Sequence, residues 1–282
     1  MTRLTRMIPV IFGLGAALPV PAVSDVNVSG DGLEDLAAAV ARFRGTGHAD
    51  VASYRVTVRL PDDPEGASMP LQELWRAPSE LALRAAKPGT PRAIVRGLAI
   101  YLEPMYVARV SLLGADLAAS VGRMRASCRV ASSVGTGGRS VAVTFPAEPD
   151  SALPAELADL AQLDARLDDH GRITRLDLET REGDTIALDC DYDAARSYPQ
   201  PDLVRWTLPN GELVEIRTSY AMRGDRALPE SRHLVFPSRY DPGETEEIYV
   251  EYEDWDLGVE IRDELLHSAD AFRYDANGLT GD

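Results

Sequence analysis

The chain is poor in the residues that most often mark chemistry. Its 282 residues include two cysteines and four histidines. The histidines (His48, His170, His233 and His267) are scattered, and none pairs with a cysteine at metal-ligand spacing. Neither a metal nor a cofactor is implied. There is no Gly-x-Ser-x-Gly elbow, no His-Glu-x-x-His, and no reactive cysteine beside a histidine. Positive charge is also short, with 29 Lys and Arg against 45 Asp and Glu, a net −16. So acidic a chain repels nucleic acid and anionic lipid head groups, which argues against a nucleic-acid partner and against docking on a bare anionic bilayer. Beyond the first 24 residues no apolar run is long enough to cross a membrane as a helix.

Those first residues have the three parts of a secretory signal. Arg3 and Arg6 precede an apolar run from Met7 to Val20, and Ala22-Val23-Ser24 offers small residues at the cleavage positions. As an uncleaved anchor the run is short and broken by Pro9, Gly13, Gly15 and Pro19. Cleavage after Ser24 leaves 258 residues at a net charge of −18, because two arginines and no acid are removed. No cysteine lies near the cut, so the expected product is a free periplasmic or secreted protein without a lipid anchor. Cys128 and Cys190 leave two alternatives open: one long-range disulfide, which an oxidising compartment permits, or two free thiols.

The mature start reads as an amphipathic helix. Leu33, Leu36, Val40 and Phe43 share one face, Asp31 with Glu34 resembles a capping box, and Gly45 is a stop. From Tyr54 the period becomes two: Tyr54, Val56, Val58 and Leu60 alternate with polar residues. Further strands are expected at 71–76 and 81–85, and 94–95 with 99–102 reads as a hairpin about Gly97. Val110, Leu113, Leu117, Val121 and Met124 predict a second helix within 105–125. A strand at 139–145 and a short helix within 151–162 follow, and then a run of hairpins. Among these, 203–208 and 213–218 are joined through Pro209-Asn210-Gly211-Glu212, whose Asn-Gly tolerates positive φ. In all, ten or eleven strands and two or three helices are expected: a signal segment 1–24, one domain 25–266 and a loose tail 267–282.

Three acidic or glycine-rich features invite a functional reading, and each has a plainer one. Asp189, Asp191 and Asp193 superficially resemble a calcium loop but lack its glycine and terminal glutamate. In a strand they form a solvated face opposite Cys190 and Tyr192. The acid-dense stretch 241–263 alternates Ile248, Val250 and Tyr252 with acids, as an edge strand guarded by charge does. Gly135-Thr136-Gly137-Gly138 lacks the lysine of a phosphate loop and reads as a hairpin turn. A carboxylate pair acting as a glycoside or ester hydrolase is not singled out by any spacing.

The order of elements resembles that of the outer-membrane lipoprotein-sorting (LolA/LolB-like) superfamily over most of residues 30–266. Leu74-Trp75-Arg76-Ala77-Pro78-Ser79-Glu80-Leu81-Ala82-Leu83-Arg84 is similar to its paired strands around an Ala-Pro or Ser-Pro corner. Ile94 to Pro104 is similar to the next hairpin, and Ile248 to Trp255 followed by Ile261 to Leu265 to the last strand and closing segment. Leu265 and Leu266 stand where an aromatic is usual, and aromatics are only 6% of the chain. The resemblance implies a mainly β (α+β) fold, a strongly curved antiparallel sheet forming an incomplete half-barrel with two or three helices on its concave side. It also implies a non-catalytic carrier of the cell envelope, monomeric, holding the acyl chains of a lipid or lipidated protein. An envelope-stress sensor or regulatory module that docks on a membrane-bound envelope protein is the alternative. In such a half-barrel Trp75, Leu81, Leu83 and Tyr101 lie on the apolar side of their runs and are the candidate ligand contacts. The other reading of the same residues is a closed core.

Overall fold

A computed structural model describes residues 32–44, 51–62, 69–77, 80–103, 105–106, 117–148, 150, 153–193, 200–238, 241, 243–275 and 278–280. The signal segment, Asp31, Gly45, Val110 and Leu113 lie outside the described residues. The fold is mainly β. One open, antiparallel, 14-stranded sheet runs in the order β14-β13-β3-β2-β1-β12-β11-β10-β9-β8-β7-β6-β5-β4.

The first half of the chain supplies α1 (Leu33–Arg44), β1 (Ser53–Arg59), β2 (Leu71–Arg76), β3 (Glu80–Ala85), α2 (Arg92–Tyr101) and α3 (Leu117–Ser127). Then come β4 (Arg129–Gly135), β5 (Gly138–Thr144), the single turn α4 (Ala155–Ala158), β6 (Leu160–Leu167), β7 (Ile173–Thr180) and β8 (Thr185–Asp191). The chain continues with β9 (Leu203–Thr207), β10 (Leu213–Arg223), β11 (Arg226–Pro237) and β12 (Thr245–Leu257). It ends with α5 (Asp263–Leu266), β13 (Phe272–Asp275) and β14 (Gly278–Thr280). From β4 to β12 every strand pairs with the next in sequence, and β1 then closes onto β12.

Period-two alternation builds one apolar face across this sheet. Tyr54, Val56 and Val58 of β1 share it with Trp75 of β2 and Leu81 and Leu83 of β3. Farther along it carries Ile248 and Val250 of β12, Leu234 of β11, Ile216 of β10, Leu188 of β8, Leu163 of β6 and Val141 of β5, all buried. Burial of each such side chain contributes about 1.5–3 kcal/mol.

The sheet curves around that face, as one short segment demonstrates. Tyr106 packs at a tilt against Tyr274 of β13, with ring centroids 4.7 Å apart, while its neighbour Met105 accepts a hydrogen bond on Sδ from Arg232 of β11. Those strands are five places apart in the sheet, about 24 Å if flat. Two adjacent side chains cannot bridge that distance, so the inner face is concave. Helices line it. Leu33, Leu36 and Val40 of α1 are buried against β6, β7 and α3, and Arg42 Nη2 donates to Gly171 O at 2.5 Å. Leu117, Val121 and Met124 of α3 are buried as their spacing predicts.

A bulge in β12 re-aims one aromatic. Between Glu253 and Asp256 the register with β1 slips, and Asp254 takes a φ of 52°. Trp255 thereby packs 5.0 Å from the Tyr54 ring and donates from Nε1 to Pro229 O at 3.1 Å. The Asn-Gly hairpin also forms: Leu208 N donates to Glu212 O at 2.8 Å, and Gly211 has a φ of 82°.

Four expectations are corrected. Residues 92–101 are a helix, not a hairpin about Gly97, because Val95, Leu98, Ala99 and Leu102 fall on one helical stripe and are buried there. The tail is not loose. Phe272 and Tyr274 alternate inward on β13, which pairs with β3. The acid-rich β12 is no edge strand but lies between β1 and β11; Glu253 and Asp256 on its outer side pair with Arg59 and Arg55 of β1. Finally, the described residues form 14 strands rather than ten or eleven, since short or polar strands such as β4 and β14 carry little alternation.

Candidate functional site

The concave face divides into a closed and an open part. Over β2 and β3 it is closed. Trp75, Leu81 and Leu83, three of the four candidate contacts, are at most 2% exposed, and α2 packs against β3. Period two also places Glu73 on this face, where it is 1% exposed. Its two carboxylate oxygens accept hydrogen bonds from Tyr54 (2.5 Å) and Tyr106 (2.7 Å). Burial pushes the Tyr106 phenol well above its ordinary value, and the adjacent Glu73 pushes it further. The phenol therefore remains a donor, and this polar cluster is internally satisfied.

Over β9, β10 and β11 the face opens into a cavity. Its apolar wall comprises Val204 and Trp206 of β9 and Ile216 of β10, roofed by Phe43 of α1 and by Met105. The polar wall holds Gln200, Thr218, Tyr220 and Arg232. About 40 Å³ is open to the centre of a water molecule, room for a few waters at about 10–15 Å³ each. None of Trp75, Leu81, Leu83 and Tyr101 lines it. Tyr101 is exposed on the sheet's flank, beside Leu60 and Tyr249, with its hydroxyl 3.4 Å from Glu247 O.

Arg232 is 9% exposed. Its Nη1 donates to the Tyr252 hydroxyl at 3.1 Å, and its guanidinium carbon lies 5.3 Å from the Tyr252 ring centre. Tyr220 spends its proton on Pro201 O at 2.7 Å; burial raises its phenol, and Arg232 pulls it partly back. Trp206 is 5% exposed, and its Nε1 has no hydrogen-bond partner among the described residues. A buried indole N–H without an acceptor is uncommon. It sits on the cavity wall.

Sequence reasoning missed Glu73 and Arg232, and one signal was available for both. Glu73 stands between Leu71 and Trp75 at period two, and Arg232 precedes Leu234 and Phe236 in the same way. A lone charge in phase with an apolar face is a buried charge.

The remaining candidates have structural roles. Cys128 and Cys190 are free thiols, so the disulfide alternative is not what the fold contains. Four strand steps separate β4, which follows Cys128, from β8, which carries Cys190. Burial raises both thiols. Asp189 and Asp191 lie on the outer face, paired with Arg175 at 3.0 Å and Arg205 at 2.8 Å, while Asp193 follows the strand's end. Such exposed pairs contribute about 0–1 kcal/mol each.

Fold and site together define a class: an open, curved antiparallel sheet that keeps a largely apolar concave face under short helices. No protein-family model and no curated protein matches the chain. Among solved structures it is similar to a putative outer membrane lipoprotein-sorting protein domain from Vibrio parahaemolyticus. That match has 9% identity, covers 83% of this chain and 95% of that one, and has a TM-score of 0.33. It is also similar to a LolA superfamily protein from Nitrosomonas europaea, at 8% identity over 81% and 96% of the two chains and a TM-score of 0.32.

Proposed function

We propose that this protein is an exported carrier that shelters acyl chains of a lipid or lipidated protein against its concave face, without catalysis. The observation that carries this reading is the apolar face itself. It runs across the whole open sheet, with Glu73 and Arg232 set into it, and a cavity interrupts its packing over β9 to β11. An aqueous compartment is where apolar cargo needs such cover.

The cavity admits only a few waters, so a full acyl chain requires the roof to lift. Phe43 and Met105 are the movable parts, because each reaches the cavity from outside the sheet. Lifting α2 as well would bring Trp75, Leu81 and Leu83 into the cargo surface, with Tyr101 at its rim. Among the described residues no helix is long and apolar enough to span a membrane. Export through residues 1–24, with cleavage after Ser24, would deliver the carrier to the periplasm or beyond.

The test is direct. Protein purified from an envelope fraction is examined by native mass spectrometry, then titrated with a fluorescent fatty acid. A co-purified lipid adduct and saturable binding are expected. A chain that stays empty and ignores the probe would sink the proposal.

A further inference from the structure

We infer that β4, at one end of the open sheet, is a dimerisation edge that pairs antiparallel with β4 of a second copy of this chain. Such pairing needs no cargo and stands apart from the carrier reading.

An open sheet has two edges, and natural sheets guard them with short strands, proline, lysine, inward charge or bulges. Here the guard is unequal. β14, at one end, is three residues long. β4, at the other, runs for seven, with no proline, no lysine, no acid and no shift in its register with β5. Val134 on it is 65% exposed, and no described strand pairs with its outer side.

The register shows what this edge offers. β4 and β5 join through Thr136-Gly137, so Gly135 and Gly138 face each other as a hydrogen-bonded pair. Counting back by two, Ser133, Ala131 and Arg129 also turn their backbone groups to β5. Val130 and Val134, at the alternate positions, direct theirs outward. A second β4 centred on Ser132 answers them symmetrically, as a twofold interface requires. Val130 then meets Val134 of the second copy in a hydrogen-bonded pair, and Val134 meets its Val130, with apolar side chains on one face. Ala131 faces Ser133 and Arg129 faces Gly135, so no like charges stand opposed.

Charge points to the same occupant. In a chain of net charge −16, residues 117–147 hold four arginines and no acid, so two copies can approach here without opposed carboxylates. The two ends of β4 also differ. Arg129, at its start, makes no ion pair among the described residues. At its far end a hollow lined by Val134 and Gly138 holds Asp35, Arg139, Asp168 and Asp169. Arg139 pairs with Asp35 at 2.6 Å and Arg172 with Asp168 at 2.7 Å, whereas Asp169 has no such pair among the described residues. Twofold pairing carries Arg129 of each copy to the acidic end of the other. There it stands about 10 Å, two strand spacings, from Gly138, about the screening length at physiological salt.

Sedimentation velocity tests this on protein from an envelope fraction, over about 1–100 μM. A concentration-dependent rise from one chain to two is expected, with a Kd in about the micromolar range for so short a seam. Val134→Lys puts a guarding charge on the edge, spares the β4–β5 ladder and should weaken the dimer at least tenfold. Val134→Pro removes an outward N–H and should do the same. Arg129→Glu should weaken it several-fold. The register has its own readout. In chains carrying Cys128→Ser, a mixture of Ala131→Cys and Ser133→Cys should form a disulfide, because facing residues of a non-hydrogen-bonded pair lie about 4.5 Å apart. Either variant alone should cross-link far less, and Cys190, 5% exposed, is out of reach. If Val134→Pro fails to fold, Val134→Lys and the cross-link decide. A dimer that survives every substitution, or a cross-link no stronger in the mixture than in one variant, overturns the pairing. A chain that stays single at about 100 μM also overturns it, and leaves the edge to a strand of another protein. None of these readouts involves lipid, so the carrier reading is tested separately.

Discussion

The concave face treats its buried polar atoms in two ways. Over β1, β2 and β13 the inward carboxylate of Glu73 is met by two tyrosine hydroxyls, and the aromatic layer around it is sealed. Over β9 to β11 the inward guanidinium of Arg232 donates to the Tyr252 hydroxyl and to Met105 Sδ, while elsewhere on the same cavity wall the Trp206 indole N–H finds no acceptor among the described residues. Both regions share the same sheet and alternation, and both polar side chains are buried, Glu73 at 1% and Arg232 at 9% exposure. They differ in packing and at one atom: the first region is sealed, whereas the second keeps a cavity on whose wall the Trp206 indole N–H has no acceptor among the described residues.

The contrast is most exposed to failure at its two tryptophans and at Glu73. Trp75→Ala removes a side chain 1% exposed from the sealed region. It should cost about 3–5 kcal/mol in urea unfolding, the range for a large core truncation. A loss under about 1 kcal/mol would show that this part of the face is already loose. Glu73→Leu comes next, at about 2–4 kcal/mol, since it strands the Tyr54 and Tyr106 hydroxyls in a dry environment. The variant with Tyr54→Phe and Tyr106→Phe added should recover part of that loss. No recovery would mean that the cluster matters by shape rather than by hydrogen bonding.

How much of this was legible in the sequence follows from periodicity. Strands with clean alternation, such as β1 with Tyr54, Val56 and Val58, could be read directly, as could α1 and the Asn210-Gly211 turn. The helix at 92–101 could not. Its β-branched Ile94-Val95 and central Gly97 imitate a hairpin locally, and only the longer spacing to Leu98 and Leu102 reveals a helical stripe. Nor could β13, whose alternation is two residues long and whose partner β3 is distant in sequence. Trp75, Leu81 and Leu83 were placed correctly on the apolar side. Whether that side was sealed or open depended on α2 and Tyr106, which strand periodicity does not report. The cavity lies instead where Arg232 interrupts an apolar pattern, a signal of charge rather than of hydrophobicity.

A titration at the sheet's rim serves as a control outside both regions. Burial raises the Asp168 carboxyl, but hydrogen bonds from the backbone and side chain of Arg172 outweigh it and hold the group below its ordinary value. The side chain of Arg172 donates from Nε to Asp168 Oδ2 at 2.7 Å. A depressed carboxylate stabilises the fold above its unfolded value near about 3.9, and that stability is lost as pH falls through the lower folded value. Asp168→Asn should therefore lower stability at neutral pH and flatten this part of the acid limb in pH-dependent urea unfolding. Amphiphile binding should be unaffected. Altered binding would show that the rim and the cavity are coupled, and the two-region picture would need a third member.

The smallest expected effect is the most discriminating. Trp206→Phe removes an indole N–H without a partner among the described residues while keeping an aromatic ring on the wall. Loss of an unsatisfied buried donor returns its desolvation cost, which offsets the smaller apolar volume. Stability by urea unfolding should change by less than about 1 kcal/mol. If Trp206→Phe costs as much as Trp75→Ala, Trp206 belongs to the sealed core and the distinction between the two regions fails. If it costs almost nothing yet weakens amphiphile binding, the indole N–H is retained for what enters the cavity, not for the fold that surrounds it.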